Sequence, residues 1–375
     1  MVLTPNPRVV FAKRLGPGSL LIPGEHIVYD ASPTIDLDAV PLNGGFLTKT
    51  LMLSPEPFLR ERMRDLSVQS TLTHAVVGAP VVGTVLVVVL RSEKEGNDTG
   101  VNVGDHMSGL SHWEAYTVQP YVEGRADLNA GTYPDWTVDL EAFGLAPVPD
   151  PHGAYPWSHY FSVLGGPGLT AFFGFEAYGD AKKGETIYVS SGASGVGSVV
   201  IQLAKEKGLR VIASAGSDAK VEYMRSIGAD IAFNYKTTPV EAALKEHGPL
   251  DIYWDNVGGA SIESAIEHAR ARARFIMCGS ISEYSTPPSE CYGVKNTSKI
   301  FKKRLQIHGL FVGDHVAALA PRFYAEVPAL MAQGKMHARE ALTEGLENAP
   351  EALMKLLQEG GAEELGKPVV VVAKE

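Results

Sequence analysis

Between Lys182 and about Val312, short apolar runs rich in β-branched residues alternate with segments whose apolar positions recur every three to four residues. Ile187–Ser191 is the first such run and predicts a strand. Val196, Val199, Val200, Leu203 and Ala204 then recur at helical spacing, and Lys205, Lys207 and Gly208 close that helix. Val211–Ala215 predicts a second strand. Strand Ile231–Asn234, helix Val240–His247, strand Asp251–Asn256, helix Ser261–Ala269, strand Arg274–Cys278 and strand Leu305–Phe311 follow. Such alternation predicts an α/β fold built on a doubly wound parallel (Rossmann) sheet.

Residues 1 to about 155 have another texture. Turn signals are dense: Pro17-Gly18, Pro23-Gly24, Asn43-Gly44-Gly45 and Pro55. The short runs Arg8–Phe11, Phe46–Met52, Val81–Leu90, Met107–Leu110 and Ala115–Val118 lie among them and predict a mainly antiparallel β domain. The polar stretch Ser92–Gly100 reads as an exposed loop, and Tyr121–Leu140 has no clear period. Gly165-Gly166-Pro167-Gly168 precedes a helix expected over Leu169–Tyr178. Helices are expected at about Ala317–Gln333 and Ala349–Gln358, and a valine-rich strand at Pro368–Ala373. Two domains are therefore expected: a β-rich one from 1–155 and 335–375, and a Rossmann domain from 156–334.

Within the strand–turn–helix–strand unit, Gly192, Gly195 and Gly197 crowd one turn. Such a turn lets backbone N–H groups approach a pyrophosphate, whose charge the helix N-terminus favours. The spacing is Gly-x-x-Gly-x-Gly rather than the standard Gly-x-Gly-x-x-Gly, so the flanking strand and helix carry much of the argument. The second strand runs into Gly216-Ser217-Asp218-Ala219-Lys220, where sites for the unphosphorylated dinucleotide usually place an acid near the ribose. Ser217 can donate to a 2′-phosphate and Lys220 can neutralise it, which favours NADP(H). Asp218 opposes this if it points inward, and a solvated surface lysine is the other reading of Lys220. Strand ends in a parallel sheet face the ligand crevice. Three more polar sets fall there: Asn234-Tyr235, Asp255–Gly259 with Asn256, and the set from Cys278 and Gly279 through Ser282 to Tyr284. Each can also be a plain turn. The expected cofactor set is Ser191, Gly192, Ala193, Gly195, Val196, Gly197, Gly216, Ser217, Lys220, Tyr235, Asn256, Cys278, Gly279, Ser282 and Tyr284.

Composition narrows the class. A chain of 375 residues is comfortable for two domains, and its 45% hydrophobic and 20% charged content suits a soluble globular enzyme. A net charge of −10, with no basic block, argues against nucleic-acid binding. Cys278 and Cys291 are the only cysteines, so no disulfide framework is expected. The N-terminus lacks the long apolar core of a signal peptide, and Val81–Leu90 is too short to span a bilayer. A cytoplasmic protein without membrane partners is the expectation.

Ten segments together carry a resemblance. They are SPEPFLRERM, GAPVVGTVLVVVLRS, GDHMSGLSHWEAYTV, LGGPGLTAFFGF, the nucleotide loop, GSDAK, FNYK, DNVGG, CGSISEYS and LGKPVVVV. In their order and number the chain resembles the zinc-independent medium-chain dehydrogenase/reductase superfamily. Within it, the chain looks like the leukotriene B4 dehydrogenase, prostaglandin reductase and alkenal double-bond reductase family. The resemblance implies a GroES-like catalytic domain beside the Rossmann domain and an NADPH-dependent reduction of a C=C bond conjugated to a carbonyl. It also implies hydride delivery to the β-carbon, with the enolate stabilised by Tyr284. By the same match Ser217, Lys220 and Tyr235 take the 2′-phosphate end and Asn256 sits by the nicotinamide.

Departures from the family pattern accompany the match. Phe58 and Thr84 stand at pocket positions where tyrosine is frequent, Glu364 where an asparagine touches cofactor in relatives, and Phe301 where tyrosine is common. Phe58, Thr84 and Tyr284 are thus the expected substrate pocket, for a small α,β-unsaturated aldehyde or ketone. Two cysteines cannot build the four-cysteine zinc lobe of the metal-bearing branch, Gly24-Glu25-His26 has the wrong order for its ligands, and Asp105, His106 and His112 are scattered. No metal is expected. Two rival readings are a quinone reductase of the same superfamily and an NADPH-binding protein with little turnover. A homodimer is expected by family analogy, with Arg304–Val312 as a candidate edge.

Overall fold

The computed structural model describes residues 3–68, 70, 72–93, 101–120, 144–148, 153–358 and 364–375. Tyr121–Leu140 and most of Ser92–Gly100 lie outside them. The chain divides into two compact units, one of Met1–Ser158, Leu342–Gln358 and Pro368–Glu375, the other of His159–Ala341 and Glu359–Lys367. The return to the first unit comes at Leu342 rather than at 335. The intervening segment is bonded back onto the second unit, through Lys335 N to Leu330 O (2.9 Å) and His337 N to Gln202 Oε1 (2.7 Å).

The second unit is a six-stranded parallel sheet. Its spatial order is Ile231–Asn234, Arg210–Ala215, Thr186–Val189, Leu250–Asp255, Ala269–Met277 and Gln306–Gly309. The central strands are buried on both faces, which is why they read as apolar runs: Ile187, Tyr188, Val189, Val211, Ile212, Ile252 and Tyr253 have no exposed surface. Helices Gly195–Glu206, Asp218–Ser226, Val240–His247 and Gly259–His268 alternate with the strands. The sheet order reverses at Thr186–Val189, whose neighbours are the next strand in sequence, Arg210–Ala215, and the third strand on, Leu250–Asp255. That reversal is the switch point at which such folds bind ligands.

Three elements depart from their expected form. Leu169–Tyr178 is an α-helix Gly166–Gly174 that widens into a π-helix Phe175–Gly179. Its start moves to Gly166 because Gly165 is extended and Pro167 fits the first turn. The edge strand shortens to Gln306–Gly309, since Arg304 is left-handed (φ 55°) and Val312–His315 is a 3-10 turn. Strand Ala269–Met277 begins five residues earlier than expected, carrying Arg270 and Arg272 on its exposed start.

The first unit pairs its strands antiparallel. Phe46–Ser54 pairs with Val82–Ser92, which pairs with His106–His112, and Tyr116–Gln119 and Lys367–Val371 also lie on Phe46–Ser54. Its core gathers Phe11, Leu53, Val85, Trp113 and Leu353. Among the described residues no helix is long and apolar enough to cross a membrane.

Candidate cofactor-binding and catalytic site

The turn after Thr186–Val189 is held by its own small residues. Ser194 caps helix Gly195–Glu206, its Oγ accepting from Gly197 N (3.1 Å). This leaves the first-turn N–H groups of Gly195 and Val196 without an intrahelical acceptor, the usual anion-binding arrangement. Ser191 takes a left-handed backbone (φ 51°) and its carbonyl accepts from Ser194 N. Gly192 and Gly197 are demanded by close approach. A Cβ on Gly197 would lie 2.3 Å from Ser191 O, and one on Gly192 would lie 2.7 Å from Met224 Sδ and 2.9 Å from Ala213 Cβ. Ala193 is buried between them. Gly195 faces Pro167 and Lys367, both about a contact distance from its would-be Cβ (3.3 and 3.4 Å). Neither neighbour is predictable from the motif, because each is brought in by tertiary folding.

The ends of Arg210–Ala215 and Ile231–Asn234 bring together the residues expected at a 2′-phosphate. Ser217 caps helix Asp218–Ser226, accepting from Lys220 N at 3.4 Å. Tyr235, 38% exposed, reaches back so that its hydroxyl lies 3.0 Å from a Gly216 Cβ position. The Asp218 carboxylate accepts from Asn234 Nδ2 at 2.9 Å. Gly216, Ser217, Lys220 and Tyr235 thus share one corner of the crevice, and the acid among them is engaged by a neighbouring side chain.

On the other side of the switch point, the turns after Leu250–Asp255 and Ala269–Met277 interlock. Asn256 spends its amide on the frame: Nδ2 donates to Ser190 O (2.7 Å) and Oδ1 accepts from Trp254 Nε1 (3.1 Å). Ser282 Oγ donates to Val257 O (2.6 Å), bridging the two turns. Gly258 (φ 75°) is pressed against Ser280, whose Cβ would lie 2.9 Å from its own. The Tyr284 hydroxyl lies 3.2 Å from the Gly279 Cβ position, and Asn256 O lies 3.7 Å from that same point. Cys278 N and Gly279 N both donate to Asp255 O. The Cys278 thiol is pushed up to about 12 by burial, then by the neighbouring Asp255 carboxyl. It is therefore a neutral packing group rather than a nucleophile.

Beneath these turns runs a polar chain that sequence patterning misses. Tyr188 and Tyr253 stack at 5.3 Å. Tyr188 OH is 2.9 Å from Ser214 Oγ, and Tyr253 OH is 3.0 Å from Ser261 Oγ and 2.7 Å from Asp255 Oδ1. Burial pushes the Tyr188 hydroxyl up to about 12 and raises the Asp255 carboxyl as well. The signal in the sequence is slight: tyrosines and serines in strands that otherwise read as wholly apolar.

Phe58 and Thr84 belong to the first unit. Phe58 opens the short helix Phe58–Arg62 and packs against that unit's core. The helix is anchored by Arg62, which donates to Thr73 O (2.9 Å) and Val82 O (3.0 Å). Thr84 Oγ1 donates to Glu56 Oε2 at 2.6 Å. His106 and His112 stand at opposite ends of one strand, near Glu375 and Glu114 respectively. Among the described residues no group of three or more His, Cys, Asp or Glu side chains is gathered to hold a metal ion.

Known proteins resemble the chain in sequence and in fold. Residues 195–332 match the family model described as zinc-binding dehydrogenase. The chain is 35% identical to an NADP-dependent oxidoreductase, RED1, of Cochliobolus heterostrophus, over 90% of each chain. It is 34% identical to the NADP(+)-dependent 2-alkenal reductase of Nicotiana tabacum, over 91% of each. Among solved structures, CurA of Vibrio vulnificus in complex with NADPH superposes with a TM-score of 0.81 at 28% identity. That match covers 98% of this chain and 100% of the other. The chain belongs to the medium-chain dehydrogenase/reductase superfamily, in the branch of NADP-dependent oxidoreductases that includes the alkenal double-bond reductases.

Proposed function

We propose that this protein is an NADPH-dependent ene-reductase that reduces the C=C bond of α,β-unsaturated aldehydes or ketones. The observation that carries the reading is the position of the Tyr284 hydroxyl over Gly279, at the carboxyl end of a parallel strand and beside the Asn256–Gly258 turn. Similarity to a 2-alkenal reductase over nine-tenths of both chains supports it. The residues present suit the cofactor. First-turn N–H groups of Gly195 and Val196 receive a diphosphate, and Ser217 and Lys220 receive a 2′-phosphate, with Tyr235 beside it. When bound, NADPH supplies the hydride that goes to the substrate β-carbon. Tyr284 donates a hydrogen bond to the carbonyl oxygen as negative charge develops there. A proton then reaches the α-carbon, with Tyr284 or a water held by it as the relay. Phe58 and Thr84 stay proposed pocket residues on the family match alone, and the Thr84 hydroxyl donates to Glu56.

Two further parts of the reading are assembly and compartment. Gln306–Gly309 is an edge strand with Ile307 39% exposed and Phe301 nearby in sequence 70% exposed, which suits pairing of two copies along that edge. Two free cysteines suit a reducing cytoplasm. The test of the central reading is product analysis after incubation with NADPH and a 2-alkenal. Saturated aldehyde is the expected product; allylic alcohol, or turnover confined to quinones, would overturn it.

A further inference from the structure

The strand Leu250–Asp255 ends in a carboxyl group with no exposed surface. Its Oδ1 gathers four donors: Tyr253 OH at 2.7 Å, Gly258 N at 2.8 Å, Val257 N at 2.9 Å and Ser190 Oγ at 3.2 Å. Its Oδ2 is buried and has no hydrogen-bond partner among the described residues. A buried carboxyl left half unpaired costs free energy, and an apolar residue could end a buried strand without that cost. The cost is offset if the four donors must be held at one point.

Those donors are the parts of the crevice floor. Ser190 follows the strand at the switch point, and its Oγ accepts from Asn256 N (2.9 Å) while its carbonyl accepts from Asn256 Nδ2. Val257 carries Ser282 through its carbonyl, and Gly258 abuts Ser280. The sheet order says which half of a dinucleotide lies over them. The 2′-phosphate corner sits over Arg210–Ala215 and Ile231–Asn234, and the diphosphate turn follows Thr186–Val189. An extended dinucleotide that crosses the switch point must continue over Leu250–Asp255 and Ala269–Met277.

We propose that Asp255 is the positioning residue for the nicotinamide half of the cofactor. By collecting Ser190, Tyr253, Val257 and Gly258 on one oxygen, it sets where the Asn256–Gly258 and Ser280–Tyr284 turns stand and hence where the ring and its hydride are presented. The inference rests on the NADPH reading above, and it concerns a residue that need not touch the cofactor.

The test compares two ligands. Dissociation constants for NADPH and for 2′,5′-ADP, which carries only the adenosine end, are measured by calorimetry on wild type, Asp255→Asn, Asp255→Ala and Ser190→Ala, with melting temperatures alongside. Asp255→Ala should weaken NADPH by about tenfold and 2′,5′-ADP by less than about twofold. At saturating NADPH its turnover should fall by about a hundredfold, since a small misplacement of reacting atoms is costly. Ser190→Ala and Asp255→Asn should show the same split, more weakly, and serve if Asp255→Ala does not fold. Equal weakening of both ligands, or unchanged affinity for both, overturns the positioning role. A wild-type protein that binds neither ligand would instead overturn the cofactor reading itself.

Discussion

Asn234 Nδ2 donates to Asp218 Oδ1 at 2.9 Å, tying the end of strand Ile231–Asn234 to the start of helix Asp218–Ser226. The bond bears on the cofactor, because Asp218 is the one acid in the Gly216–Lys220 turn and would repel a 2′-phosphate if it turned toward it. Ser217 meanwhile caps the helix that carries Lys220. Asn234→Ala should release the carboxylate and weaken NADPH by about threefold, with NADH almost unaffected. Lys220→Ala should weaken NADPH by about tenfold or more and again spare NADH. Titrations with both nucleotides check this, and equal losses would remove Lys220 from the 2′-phosphate.

Tyr284 stands at a 3-10 turn, its hydroxyl 3.2 Å from where a Gly279 side chain would begin. Tyr284→Phe keeps that packing and removes one donor. Turnover on a 2-alkenal should fall by about a hundredfold while NADPH affinity holds. Steady-state rates at saturating NADPH, with a separate binding titration, measure both. Unchanged turnover would assign the enolate donor to another group.

The three glycines of the diphosphate turn should differ in their tolerance of alanine. At Gly197 the added carbon meets backbone at 2.3 Å; at Gly192 it meets side-chain atoms at 2.7 to 3.0 Å; at Gly195 it meets Pro167 and Lys367 at 3.3 to 3.4 Å. Backbone cannot step aside as a side chain can. The expected order of destabilisation is Gly197→Ala, about 2 kcal/mol or more, then Gly192→Ala, then Gly195→Ala at well under 1 kcal/mol. Urea unfolding of the three variants checks the order.

Local periodicity made much of the second unit legible. Ile231–Asn234 and Val240–His247 occur with the bounds their patterns predict, and the neighbouring strands and helices fall within a few residues of theirs. Such elements announce themselves because each face they present is uniformly buried or solvated. Ile27–Asp30 was not legible, since a four-residue strand takes its conformation from pairing with Arg8–Phe11. The same holds for Leu145–Pro147 on His106–His112. In the site, Ser217 could be singled out because its type and place suit a helix cap and a phosphate alike. The fan of donors on Asp255 could not, because it is assembled by residues from two strands and a turn.

Asp255 also makes a pH prediction. Its carboxyl is raised above 3.8, chiefly by burial, against the pull of its hydrogen bonds. The folded protein therefore holds this proton to higher pH than the unfolded chain does. The stability it contributes is fully present below the unfolded value and is lost as pH rises through the folded one. Asp255→Asn removes that titration. Relative to wild type, the variant should gain stability as pH is raised from about 4, as read from urea midpoints across a pH series. A difference that does not change with pH would contradict the burial argument.

The most direct measurement follows the hydride itself. NADPH deuterated at C4 of the nicotinamide, on each face in turn, is incubated with the protein and a 2-alkenal, and the product is read by NMR. The account predicts a saturated aldehyde with deuterium on the β-carbon from one face only. Deuterium at the carbonyl carbon, in an alcohol product, would contradict conjugate reduction and with it the role given to Tyr284.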